Sequence, residues 1–103
     1  MHHLIQVLLP IYDNKKIPFP IELFMTVRQE LTEKFGGITT YTRSPATGLW
    51  KENEEKTVRD EIVIYEVMTK NIDTRWWKSY KRKLEDNFSQ DEIVIRSMTI
   101  ELF

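Results

Sequence analysis

The chain has 103 residues, 41% of them hydrophobic and 30% charged, with a formal net charge of -1 and no cysteine. By length it is one domain, residues 1–103, able to bury roughly two-thirds of the surface its unfolded chain exposes, and its apolar content argues against disorder. The absence of cysteine excludes a disulfide framework and a thiolate zinc site, and the near-neutral charge excludes a general field for drawing in nucleic acid or an anionic membrane.

The start, Met1-His2-His3-Leu4-Ile5-Gln6-Val7, has no Lys/Arg region, and its apolar run ends at Pro10, so no signal peptide is predicted. Nothing approaches the roughly 20 apolar residues of a membrane span. The expectation is a soluble cytoplasmic protein without a membrane partner. Leu4 to Leu9 reads as a strand apolar on both sides, Ile5, Val7 and Leu9 on one and Leu4 and Leu8 on the other, interrupted by Gln6. His2 and His3 alternate across it and cannot readily clamp one metal; a solvated terminus accounts for them.

Asp13 to Lys16 form a loop, and Pro20 suits the first position of a helix whose stripe is Phe24, Val27, Leu31 and Phe35, stopped by Gly36-Gly37. Ile38 to Arg43 is a Thr-rich, half-polar strand suited to a sheet edge. An irregular hairpin turning near Asn53 then leads to Arg59 to Met68. Here Ile62-Val63-Ile64-Tyr65 asks for cover on both faces, the mark of an interior strand. Asp73 caps a second helix with Ile72 as a staple, and Trp77, Tyr80, Leu84 and Phe88 repeat the spacing of the first stripe. Trp76, about 100° away from Trp77, lies on the shoulder where it meets a partner or loop. Ile93 to Leu102 is the last strand, with Ile95, Ser97, Thr99 and Glu101 alternating against Val94, Met98 and Ile100.

The order β-α-β-β-α-β, with right-handed crossovers, gives an α+β ferredoxin-like fold: a four-stranded antiparallel sheet with both helices on one face and the first and third strands central. Two strands apolar on both faces, covered on one, predict a homodimer, either face to face or through edge strands; the alternative is that a C-terminal tail or loop covers the face.

Phe35-Gly36-Gly37-Ile38-Thr39, Gly48-Leu49-Trp50, Asp60-Glu61, and Phe88 followed by Gln90 and Ile93-Val94 resemble a family of small uncharacterised bacterial proteins, a domain of unknown function. The resemblance spans Leu4 to Ile100 and implies the same fold. The architecture is also similar to dimeric α+β barrel proteins, which include cofactor-free oxygenases, decyclases and ligand sensors.

No nucleophilic triad, phosphate loop or metal set is present in the sequence, and no cofactor is expected. Arg75, Lys78, Lys81, Arg82 and Lys83 lie on the outside of the second helix, where Glu85 pairs with Lys81. RNA binding would need exposed aromatics on strands one and three, and Tyr65 alone does not make that platform, so no nucleic-acid partner is expected. The candidate pocket is Tyr41, Arg43, Trp50, Glu61 and Tyr65, grouped around the hairpin, with Glu61 held by Arg43 as an acid, a base or a structural lock. Two functions follow as expectations. One is a non-catalytic dimeric module binding a small ligand or a protein; the other is a cofactor-independent enzyme using Glu61, Arg43 and Tyr65.

Overall fold

The computed structural model describes residues 2–43 and 62–103. In chain order the elements are β1 (His2–Pro10), α1 (Ile21–Phe35), β2 (Thr39–Arg43), β3 (Ile62–Thr69), α2 (Thr74–Asn87) and β4 (Ile95–Ile100). The four strands form one antiparallel sheet in the order β2-β3-β1-β4. This is the ferredoxin-like α+β arrangement, and the two doubly apolar strands are the interior pair, where backbone groups on both edges are satisfied by neighbours.

Register decides which side chains share a face. Val7 lies opposite Tyr65 on one side and Ile95 on the other, so Ile5, Val7, Leu9, Val63, Tyr65 and Val67 stand together. Both helices bury that face, α1 with Val27 and Leu31, α2 with Trp77, Tyr80 and Leu84. Phe88 is fully buried beyond the end of α2, edge-on to Phe19 and Phe24 at 5.1 and 5.3 Å. Phe24 and Phe35 complete the stripe of α1, half-buried against the same core.

The helix ends obey local chemistry. The Asp73 carboxylate accepts from the Trp76 amide at 3.1 Å, satisfying one of the four unpaired N–H groups at the start of α2. Gly36, at φ 86°, closes α1 in the left-handed region and donates its N–H to the Thr32 carbonyl. Pro20 sits one residue earlier than the sequence suggests, as the N-cap, with Ile21 opening the helix.

Two expectations need correction. His2 and His3 are half-buried residues of β1, paired with Ile100 and Thr99 of β4, rather than a solvated terminus. The last strand is shorter than Ile93 to Leu102: the Ile93 amide donates to the Glu85 carboxylate at 3.1 Å, so its N–H is committed to α2 and the ladder begins later. Leu102 lies beyond the strand and is exposed. Arg59 to Glu61, taken as the opening of the central strand, lie outside the described residues.

Glu85 also accepts from Lys81 at 2.6 Å, and Lys81 in turn reaches Glu92. Lys81 first, then the Ile93 amide, holds the Glu85 carboxyl below its ordinary value near 4.5. A depressed carboxyl contributes stability above the unfolded value, and that contribution is lost as pH falls through the folded value. In urea unfolding followed by circular dichroism, Glu85→Gln should flatten the loss of stability below about pH 4.5. By the same measurement, Phe88→Ala should cost about 3–5 kcal/mol, because the removed ring leaves a cavity among Phe19 and Phe24.

Candidate functional site

The sheet separates the residues of the expected pocket. Tyr41 pairs with Ile64 and Tyr65 pairs with Thr40, so the two tyrosines occupy neighbouring strands but opposite faces. Tyr65 is packed among the core residues under the helices, whereas Tyr41 is exposed on the other side. Arg43 ends β2 at the register position opposite Ile62. Its side chain, Trp50, Glu61 and the expected turn near Asn53 lie outside the described residues.

On the helix side, burial raises the Tyr65 phenol above its ordinary value, with Arg28 pulling in the opposite direction. Tyr80 is raised further, first by burial and then by Glu30, to whose carboxylate its hydroxyl donates at 3.0 Å. The second oxygen of Glu30 accepts from Lys83 at 2.5 Å, so one carboxylate on α1 gathers two donors from α2. Trp76, half-buried, is engaged within the chain. It stacks on Tyr80 at 4.7 Å, meets Phe35 and Trp77 edge-on, and carries the Lys34 ammonium 4.6 Å above its ring. Two members of the basic cluster on α2 are thereby committed to carboxylates, Lys81 to Glu85 and Glu92 and Lys83 to Glu30.

A cleft of about 390 Å³ runs beside α1, lined by Met25, Arg28, Gln29, Thr32, Glu33 and Ile38. Its volume suits a small ligand. All of its polar side chains come from one helix face, at spacings of three and four residues, so they line a single wall and do not converge on a point.

The opposite face of the sheet carries a different arrangement. No described helix or strand packs on it. Leu4, Leu8, Ile62, Ile64, Met68, Met98 and Ile100 share this face by register. Ile64, flanked by Leu8 and Tyr41, is only 3% exposed, while Met68 and Met98 are 53% and 46% exposed. The apolar side of β4 is therefore the uncovered one, and Ser97 and Thr99 lie on the helix side. Across the middle runs one polar row. Gln6 pairs with Glu66 in β3 and with Arg96 in β4, its amide nitrogen donating to Glu66 at 2.5 Å and its oxygen accepting from Arg96 Nε at 2.7 Å. Gln6 was visible in the sequence as an interruption of strand one. Glu66 and Arg96 were missed, although each breaks an apolar series of alternate residues, Ile62-Ile64-Met68 and Val94-Met98-Ile100.

No family model, curated protein or solved structure matches the chain. The face presents no aromatic platform on β1 or β3, where Leu4, Gln6, Leu8, Ile64 and Glu66 stand. Among the described residues no group of three or more His, Cys, Asp or Glu side chains is placed to hold a metal ion. No helix among them is long and apolar enough to cross a membrane.

The raised phenols give a titration to check. Unfolded tyrosines release protons from about pH 10, whereas folded Tyr65 and Tyr80 hold theirs, so stability is intact below that value and declines as pH rises past it. Tyr80→Phe should cost about 1–2 kcal/mol at neutral pH and should lessen the alkaline decline, read by urea unfolding between pH 7 and 11.

Proposed function

We propose that the protein is a non-catalytic homodimeric module that closes the open face of its sheet against a second copy and presents the assembled pair to a small ligand or a protein partner. The observation supporting this reading is the apolar surface of Leu4, Leu8, Met68, Met98 and Ile100, on which no described element packs. Contiguous apolar surface of this kind marks interaction sites in soluble proteins, and a self-complementary patch closes most simply around a two-fold axis. Face-to-face packing is favoured over edge pairing because the exposed methionines lie on the face. The cleft beside α1 belongs to the helix side, so a pair joined through the open face leaves it accessible for a ligand.

The enzymatic alternative has less support, since Tyr65 is part of the packed core and Tyr41 lies across the sheet from it. Kinship with the small bacterial family and a cytoplasmic location belong to the same proposal. They rest on the motifs around Gly36-Gly37 and on the cysteine-free composition.

Sedimentation velocity over a wide concentration range should give the mass of two chains. Met98→Asp, which changes an exposed side chain, should weaken association by about tenfold or more while leaving the circular dichroism spectrum unchanged. A wild-type chain that stays single at high concentration overturns the reading.

A further inference from the structure

Two sheets packed face to face and related by a two-fold rotation have their axis in the plane between them. An axis along the strands exchanges the β3 side with the β4 side and keeps each residue at its own height. An axis across the strands leaves each strand on its own side and inverts the heights. The row Glu66, Gln6, Arg96 lies at a single height, with opposite charges on either side of β1. Rotation along β1 over Gln6 therefore sets Glu66 opposite Arg96 of the partner subunit, twice, with Gln6 facing its own copy. Rotation across the strands sets carboxylate on carboxylate and guanidinium on guanidinium.

The apolar residues lead to the same choice. Met68 and Met98 are the two partners of Leu4, one on each side of β1, so they too share a height. The axis along β1 brings Met68 onto Met98 of the partner subunit, joining two well-exposed side chains. Sheets stacked this way stand about 10 Å apart and within about 30° of alignment, a gap that a glutamate and an arginine span from opposite sides.

We infer that the two-fold axis of the pair runs along β1 over Gln6, with Glu66 of each subunit ion-paired to Arg96 of the partner subunit. The inference rests on the homodimer reading above. Both groups keep capacity for this contact. Within the chain Gln6 engages one Glu66 oxygen, Oε2, and one Arg96 nitrogen, Nε, and among the described residues neither group is in an ion pair. Among the described residues nothing else engages the second carboxylate oxygen or the two terminal guanidinium nitrogens, which face the partner subunit in this arrangement. A charged row inside an apolar interface contributes more to register and orientation than to affinity, because desolvation offsets much of the attraction.

The test is a charge exchange followed by sedimentation equilibrium. Glu66→Arg and Arg96→Glu, each alone, turn two attractive contacts into two repulsive ones and should weaken homodimerisation by about a hundredfold. Combining both substitutions in one chain, or mixing the two single variants in equal amounts, should restore association to within about tenfold of wild type. Single variants that associate like wild type overturn the axis and leave the homodimer standing. Weakened single variants that neither mixing nor combination rescues show a role within the chain only, and likewise overturn it. A wild-type chain that never associates overturns both the axis and the homodimer.

Discussion

The packing of α1 and α2 against one side of β1 and β3 is the contact on which the rest of the structure depends. Val27 and Leu31 from one helix and Trp77, Tyr80 and Leu84 from the other meet Ile5, Val7, Leu9, Val63, Tyr65 and Val67 over a continuous interior. Most of the favourable free energy of so small a domain comes from apolar burial of this kind, and neither helix is long enough to be stable alone. The same contact fixes the sheet's register. A one-residue slip of β3 would exchange Tyr65 for Ile64 or Glu66 beneath the helices and turn the core set outward.

The helices are also joined to each other by polar groups at the rim of this interior. Glu30 accepts from Tyr80 and Lys83, so an acid on α1 binds two donors one turn apart on α2. Lys34 over Trp76 adds a cation–aromatic contact on the same seam. These contacts set the relative rotation of the two helices. Lys81 and Lys83 of α2 and both adjacent tryptophans thus have partners within the chain.

Much of this fold was legible in the sequence because it rests on period. The spacing of three, four and four marks both helical stripes, and runs apolar at successive positions mark the interior strands. Gly36 and Asp73 mark ends by chemistry that acts within a few residues. What was not legible depends on register between distant segments. Tyr41 and Tyr65 fall on opposite faces because Tyr41 meets Ile64, a pairing that separate strands cannot reveal. The polar row was missed for the same reason. Gln6, Glu66 and Arg96 lie 60 and 90 residues apart in sequence and become neighbours only through the central position of β1.

Gln6 illustrates what such a neighbourhood demands of a single side chain. An amide has a donating end and an accepting end, and here one meets an anion while the other meets a cation. A carboxylate in its place would repel Glu66, and an ammonium would repel Arg96. The amide therefore gives the row a polarity, running from negative to positive across an otherwise oily plane. In the proposed pair such a vector would work as an address mark: a neighbour displaced by one rung would press sulfur against charge, so misplacement would be penalised where grease alone would tolerate it.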